Sequence, residues 1–326
     1  MLLLYTGSPS HPDPAHVAAY LREFLMDPCV MDMPGWLREV LVKGIIVPLR
    51  ARKSAAKYCS IWTPHGSPLV WHTGCFRDAL RTLLPEACSL AAGAAYGSDP
   101  LQESIALLLE APLQRLVVFP LFPHYARATR GSLRIRLENA LRRLGAAPLE
   151  ISEVPPFYAH PAYLDAMSKA ALPVLEAFHP DHVVFSYHGL PLRQAYARPG
   201  DGSGVNYEQQ CLRSTEALIR ALCLNSEECS QAYQSRFGRG WLTPSTESVL
   251  TALAQVGKRR VALIAPSFVA DCLETLEELD IGARECFLAA GGREFLRVPA
   301  MNAHPAWVAA GACLVREALE AREERR

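Results

Sequence analysis

The stretch His182-Val183-Val184-Phe185-Ser186-Tyr187-His188-Gly189-Leu190-Pro191 decides the fold. Residues 182–187 form a short apolar run, rich in β-branched and aromatic side chains, which is typical of a buried strand in a parallel sheet. The run stops at His188, and the Gly-Leu-Pro sequence that follows predicts a turn. In open parallel sheets, ligands bind beyond the carboxyl ends of the strands. His188 therefore lies where chemistry is expected.

Similar apolar runs recur along the chain, and longer amphipathic patterns separate them. Strands are predicted at residues 2–6, 89–96, 115–120, 149–154, 182–187, 232–236, 259–265 and 295–298. Strands that alternate with helices are typical of parallel sheets covered on both faces. The pattern restarts near residue 150, so the sequence predicts an α/β protein with two doubly wound domains in tandem.

Length and composition agree with a folded, two-domain protein. The chain has 326 residues, of which 50% are hydrophobic and 20% charged, and this excludes an intrinsically disordered chain. Its 33 basic residues balance 33 acidic ones, so no basic excess favours a nucleic acid as partner. The ten cysteines include no CxxC pair, which is typical of free thiols in a reducing compartment. We therefore expect a cytoplasmic protein.

The apolar stretch of residues 31–49 stands outside the alternation of strands and helices. Charged residues interrupt it, so it falls short of the roughly 18 apolar residues of a membrane-spanning helix. Exposed apolar surface of this kind marks a ligand cleft or a membrane contact, and Trp36 is its main aromatic candidate. The competing interpretation is that these side chains belong to the core. Residues 1–6 predict a strand rather than a signal peptide.

Titratable side chains follow two of the predicted strands. His188 can exchange a proton near neutral pH, and a buried, hydrogen-bonded histidine is the equally weighted alternative. Asp271, Glu274 and Glu278 share one face of a predicted helix, where they could conduct protons or attract a cation. The pattern alone favours a structural interpretation instead. Asp271 and Glu274 fit a capping box, and a solvated acidic face explains Glu278.

Three thiols, Cys211, Cys223 and Cys229, lie within 19 residues. An iron–sulfur cluster normally needs four thiolates, so Cys272 or another cysteine would have to complete the set. Free cysteines are the favoured interpretation, and a [2Fe-2S] cluster is the alternative.

Several ordered motifs resemble those of the ferrochelatases, the enzymes that insert Fe²⁺ into a porphyrin at the end of haem synthesis. Val183–Pro191 is similar to the family's F-S-x-H-G-L-P, and Pro266–Glu278 to P-x-F-x-x-D-x-x-E-T-L-x-E. Further matches lie in Tyr20–Pro28, Ile61–Pro68 and Gln234–Gly238. The resemblance extends from residue 2 to about residue 312, over nearly the whole chain.

The resemblance implies two Rossmann-like domains with a porphyrin cleft between them. The first would comprise residues 1–149, including an apolar lip at 31–49, and the C-terminal helix 304–326 would complete it. The second, residues 150–303, would carry His188 and Glu274.

The resemblance also implies roles for individual residues. His188 and Glu274 match the family's catalytic pair, in which the histidine accepts pyrrole protons or guides metal entry. Asp271 and Glu278 would join this pair in holding the metal. Porphyrin contacts are expected at Trp36, Ser67, Pro68, Tyr125 and Trp241.

Two segments depart from the family pattern. Ala95 stands where bacterial relatives usually carry an arginine near the porphyrin propionates, and Phe122–Ala126 replaces Y-P-Q-Y-S. These departures keep alternatives open. They are coproporphyrin or cobalt as the substrate, a weak paralogue that only binds or carries porphyrin or haem, and a bilobed small-molecule binding protein.

The resemblance finally sets expectations about cofactors and partners. We expect protoporphyrin and Fe²⁺ as substrates, no tightly bound cofactor and no nucleic acid. We also expect a monomer that touches the inner face of the membrane through residues 31–49.

Overall fold

Two structural units, each built on a four-stranded parallel sheet, make up the protein in the computed structural model. The structure describes residues 1–97, 100–110, 113, 115–146, 149–197 and 204–323, with side chains up to residue 320. Unit 1 comprises residues 1–122, 126–155 and the C-terminal part from Gly311, and unit 2 comprises residues 123–125 and 156–310. The sequence analysis expected divisions at 149/150 and 303/304.

The sheet of unit 1 has the strand order β2-β1-β3-β4. Its strands are β1 (Leu2–Ser8), β2 (Ala91–Gly97), β3 (Arg115–Pro120) and β4 (Glu150–Glu153), and all pairs are parallel. Its helices are α1 (Pro14–Leu25), α2 (Gly35–Leu41), α3 (Val47–Ile61), α4 (Pro68–Arg81), α5 (Leu101–Leu109) and α6 (Ser132–Arg143). The apolar side chains of β1, Leu2 and Leu4 among them, are buried in the core between the sheet and these helices.

The sheet of unit 2 repeats this order as β6-β5-β7-β8. Its strands are β5 (His182–His188), β6 (Cys229–Gln234), β7 (Arg260–Ile264) and β8 (Glu294–Arg297), again all parallel. Its helices are α7 (Pro161–Phe178), α8 (Leu192–Ala195), α9 (Tyr207–Ala221), α10 (Thr246–Gln255) and α11 (Arg284–Ala289), and α12 (Pro305–Glu323) ends the chain. The predicted α/β class with parallel sheets is confirmed, and every predicted strand is present.

One helical region differs from the prediction. The sequence predicts separate helices at 36–47 and 54–62, because Pro48 interrupts the pattern. In the structure α2 continues through a π-helical segment, Val42–Ile46, directly into α3. Proline lacks a backbone N–H and is tolerated in the first turn of a helical segment, and the π segment makes Pro48 such a position. Among the described residues, no helix has both the length and the apolar character needed to cross a bilayer.

Candidate active site

His188 is the last residue of β5, and it lies beside Gln234 of β6 in the parallel register. Its imidazole is half-buried, and Nδ1 lies 2.8 Å from the carbonyl oxygen of Gly189. A carbonyl oxygen only accepts hydrogen bonds, so Nδ1 carries the proton in this contact. Nε2 is left with a lone pair. His188 is therefore arranged as a neutral base.

The turn after His188 requires a glycine. Gly189 donates its N–H to the Gln234 carbonyl at 2.8 Å, and a Cβ at residue 189 would lie 2.6 Å from that same oxygen. No side chain fits at that distance. Trp241 lies next to this turn, because its segment forms an antiparallel bridge with Pro191. The turn therefore fixes the histidine and the indole together.

Glu278 is held by Ser235, the residue that follows β6. The backbone N–H and the hydroxyl of Ser235 each donate to the Glu278 carboxylate at 2.5 Å. Burial raises the pKa of Glu278, and the nearby Glu274 carboxylate adds to this effect. The Ser235 hydrogen bonds and the charge of His188 oppose it. Because His188 and Glu274 both act on Glu278, the three groups lie close to one another.

The two glutamates lie on a π-helical segment, Glu274–Ala283. The predicted helix began at Asp271, but Asp271 precedes the helical turns, and no side chain caps the segment. The capping box proposed as the structural alternative is therefore not formed. π-Helical turns are frequent at functional sites, since they widen the helix and change which side chains share a face.

Asp271 is buried and fully engaged within unit 2. Its Oδ1 accepts from Arg297 Nη1 at 2.8 Å and from the Thr275 hydroxyl at 2.9 Å, and its Oδ2 accepts from Asn302 Nδ2 at 2.9 Å. Both Asp271 and Arg297 are buried. The prediction that Asp271 holds the metal does not fit this arrangement, because its oxygens are already occupied by a buried cation and two other donors. The carboxylate instead anchors the start of the π-helical segment.

The remaining predicted contacts lie in different places. Ser67 and Pro68 are buried at the start of α4 in unit 1. Trp36 lies on α2 and is 71% exposed. Tyr125 belongs to unit 2, where its backbone N–H donates to the Gln210 side chain at 2.7 Å. Of the predicted substrate contacts, Trp241 is the one whose backbone is tied to the turn after His188.

Ala95 lies in the hydrophobic core of unit 1. Its carbonyl oxygen accepts from Arg136 Nη1 at 2.7 Å, and the Arg136 guanidinium lies 3.8 Å from the centre of the Tyr96 ring. Residue 95 is therefore a core position, and a cation from α6 lies next to its backbone.

The sequence analysis gave no role to His124. This histidine is 3% exposed, and neither ring nitrogen has a hydrogen-bond partner among the described residues. Its ring stacks on Tyr158 and contacts the edges of Tyr187 and Tyr207. Burial lowers the pKa of His124 to about 3, so the imidazole is neutral. Since the Tyr207 hydroxyl donates to the His188 carbonyl at 2.9 Å, this aromatic shell supports the segment that carries His188.

The three neighbouring cysteines do not come together. Cys211 is buried in the core, Cys223 is exposed, and Cys229 is half-buried at the start of β6. In the described part of the chain, no three of the cysteines lie within ligand distance of one another. These residues therefore do not form a preassembled cluster site.

Comparisons with known proteins agree with the architecture. A family model for ferrochelatase matches residues 1–319. A ferrochelatase of Edwardsiella ictaluri is 41% identical over 93% of this chain and 92% of its own length. Another, from Azotobacter vinelandii, is 38% identical over 97% of this chain and 98% of its own.

Solved structures resemble the fold at much lower identity. SirB from Bacillus subtilis with Fe³⁺ has a TM-score of 0.56 at 11% identity, and covers 80% of this chain and 94% of its own. The sirohydrochlorin chelatase SirB in complex with cobalt has a TM-score of 0.55 at 10% identity, over 81% of this chain and 94% of its own. Likeness at this level of identity shows the fold alone.

Proposed function

This chain belongs to the ferrochelatase family of porphyrin metal chelatases, and we propose that it inserts Fe²⁺ into protoporphyrin IX to give protohaem, the last step of haem biosynthesis. Such an enzyme is classed as a lyase. The observation that carries the proposal is the site in unit 2, where the free Nε2 of His188 lies close to two carboxylates.

The reaction demands a base and an anionic path for the metal. A porphyrin holds two pyrrole N–H protons, and both must leave as the metal enters. His188 accepts such a proton at Nε2, because Nδ1 already donates to the Gly189 carbonyl. The resulting imidazolium lies near Glu278 and Glu274, and their negative charge stabilises it.

The two glutamates differ in their surroundings, and this divides their roles. Glu278 is held by Ser235, and its raised pKa suits a group that takes up a proton and passes it on. Glu274 is half-buried at the first position of the π-helical segment, and it is the carboxylate that attracts Fe²⁺. We assign Asp271 to positioning, since its ion pair with Arg297 holds the segment that carries both glutamates.

Substrate contacts follow from the same reasoning. The Trp241 indole offers an apolar surface beside His188, on which a planar macrocycle can stack. Trp36, Ser67, Pro68 and Tyr125 remain proposed porphyrin contacts. We further propose that the protein is cytoplasmic, monomeric and peripheral to the inner face of the membrane.

An insertion assay tests the proposal. Purified protein is given Fe²⁺ without oxygen, with protoporphyrin and coproporphyrin in parallel reactions, and metallation is followed by absorbance. We expect faster turnover with protoporphyrin. Faster turnover with coproporphyrin would change the substrate. Tight porphyrin binding without any turnover would make the chain a porphyrin carrier.

A further inference from the structure

A second group of metal-ligating side chains lies in unit 1, in the link between β1 and α1. His11, Asp13 and His16 each offer one ligand atom, and these atoms lie within 4.8 Å of one another. Among the described residues, this is the one group of three or more His, Cys, Asp or Glu side chains that meets this distance. It lies beyond the carboxyl end of β1, and His188 belongs to the other unit.

The ligand atoms converge on one carboxylate oxygen. Nδ1 of His11 lies 2.9 Å from Asp13 Oδ2, and Nδ1 of His16 lies 2.6 Å from the same atom. In a tetrahedral zinc site with bonds of about 2.0 Å, ligand atoms lie ~3.3 Å apart. A small separation of the three side chains is therefore enough to admit an ion.

The carboxylate is already fixed in the orientation that such a site needs. Asp13 caps α1, since its Oδ1 accepts from the backbone N–H groups of Ala15 at 2.8 Å and His16 at 3.0 Å. The backbone hydrogen bond from His16 is the main reason why the pKa of Asp13 is lowered to about 2. Oδ2 therefore keeps its negative charge and faces both imidazoles. The positive end of the helix dipole opposes a cation here, and this charge counters it.

The donor set selects the class of ion. Two imidazole nitrogens and one carboxylate oxygen suit first-row transition metals such as Zn²⁺, Co²⁺ and Fe²⁺, whereas Mg²⁺ and Ca²⁺ prefer oxygen ligands alone. All three side chains are partly exposed, so an ion can reach them from solvent. We propose that His11, Asp13 and His16 form a divalent transition-metal site, separate from the site at His188.

Zinc binding to the full-length, tag-free protein tests this directly. Zn²⁺ is titrated at pH 7.5 in competition with a chromophoric chelator, and no porphyrin is present. We expect His11→Ala/His16→Ala to bind one equivalent fewer than the unaltered protein. His65→Ala, which removes another exposed histidine of unit 1, should keep the full number. Equal stoichiometry in the double variant and the unaltered protein would overturn the proposal.

Two further measurements separate a metal site from a hydrogen-bonded helix cap. Asp13→Asn keeps a capping oxygen but loses the charge, so the helix should remain while Zn²⁺ affinity falls at least about tenfold. Unchanged affinity would show that the group is only a cap. Binding should also weaken between pH 7.5 and pH 5.5, because protons compete for the imidazoles.

The final measurement removes the other site. In His188→Ala protein loaded with one equivalent of Zn²⁺, X-ray absorption at the zinc edge should report two imidazole ligands. A spectrum with oxygen ligands alone would contradict the assignment. No porphyrin enters any of these experiments, so their outcome does not depend on the function proposed above.

Discussion

The two units share one topology, yet their central strands end differently. β1 ends at Ser8, which pairs with Gly97, and β5 ends at His188, which pairs with Gln234. In unit 1 the two strand ends are so close that a Cβ at Gly97 would lie 2.1 Å from the Ser8 carbonyl oxygen. In unit 2 the same place carries a base with Ser235 and Glu278 near it.

Unit 1 carries a different kind of surface. Four apolar side chains, Trp36, Val40, Ile45 and Leu49, are exposed by 71, 58, 48 and 75% respectively. Their spacing of four, five and four residues places the longer step across the π-helical segment Val42–Ile46. We call this row the apolar ridge. Since one topology carries a charged site in one unit and an apolar ridge in the other, the residues at loops and strand ends decide function, and the sheet order does not.

The largest effect should come from the base itself. His188→Ala removes the Nε2 lone pair, so metal insertion should fall about 10²- to 10⁴-fold. Protoporphyrin binding, measured by quenching of the intrinsic fluorescence, should persist. His65→Ala in unit 1 is the control and should retain full activity. If the His188 variant turned over at near-normal rates, unit 2 would lose its claim to the chemistry.

The buried ion pair should give the largest effect on stability. Asp271→Ala leaves the Arg297 guanidinium buried without its partner, so the free energy of unfolding should fall by about 3–5 kcal/mol in urea titrations. The matched control is Glu294→Gln, which breaks an exposed pair with Arg260 and should cost less than about 1 kcal/mol. Similar losses in the two variants would contradict the positioning role of Asp271.

The pH dependence of Glu278 should be smaller than the effect of Asp271→Ala and opposite in sign. The pKa of Glu278 is raised in the folded protein, so its neutral form is compatible with burial and its ionised form costs stability. This favourable contribution is complete below the ordinary glutamate range and is lost as pH rises through the folded pKa. Glu278→Gln stays neutral. The variant should therefore gain stability relative to the unaltered protein as pH rises from 4 to 8.

The matched control for that experiment is Glu277→Gln, one residue away on the same segment. Its stability difference from the unaltered protein should not follow the Glu278 curve. Parallel stability curves for the unaltered protein and Glu278→Gln across this range would show that the Glu278 carboxylate is not held near its neutral form.

The sequence predicted the sheets well because buried parallel strands leave a simple signal. Runs such as 182–187 and 115–120 are apolar, short and bounded by turn residues. The order of strands within each sheet and the bounds of β6 were less accessible, since the first residues of β6, Cys229–Gln231, are only half-buried and polar in part.

The site was predicted through His188, Glu274 and Glu278, and its supporting residues were not. Asp271 and Glu274 are three residues apart, which suits a capping box, but pairing with Arg297 twenty-six residues later overrides local spacing. Ser235 and His124 act through contacts with residues far away in the chain, and no local pattern reports these. Only the motif Gln234–Gly238 gave any signal that the end of β6 is special.

The smallest effect on folding, and the most informative about unit 1, should come from the apolar ridge. Trp36→Ser/Leu49→Ser removes side chains that are mostly exposed, so the free energy of unfolding should change by no more than about 0.5 kcal/mol. If the ridge touches a membrane, the same variant should bind anionic lipid vesicles about 10- to 100-fold more weakly, because burial of such side chains contributes roughly 1.5–3 kcal/mol each. Val256→Ser in unit 2 removes an equally exposed but isolated side chain, and vesicle binding should not change. Unchanged vesicle binding with a raised KM for porphyrin would instead make the ridge a substrate contact, and both units would then take part in holding the macrocycle.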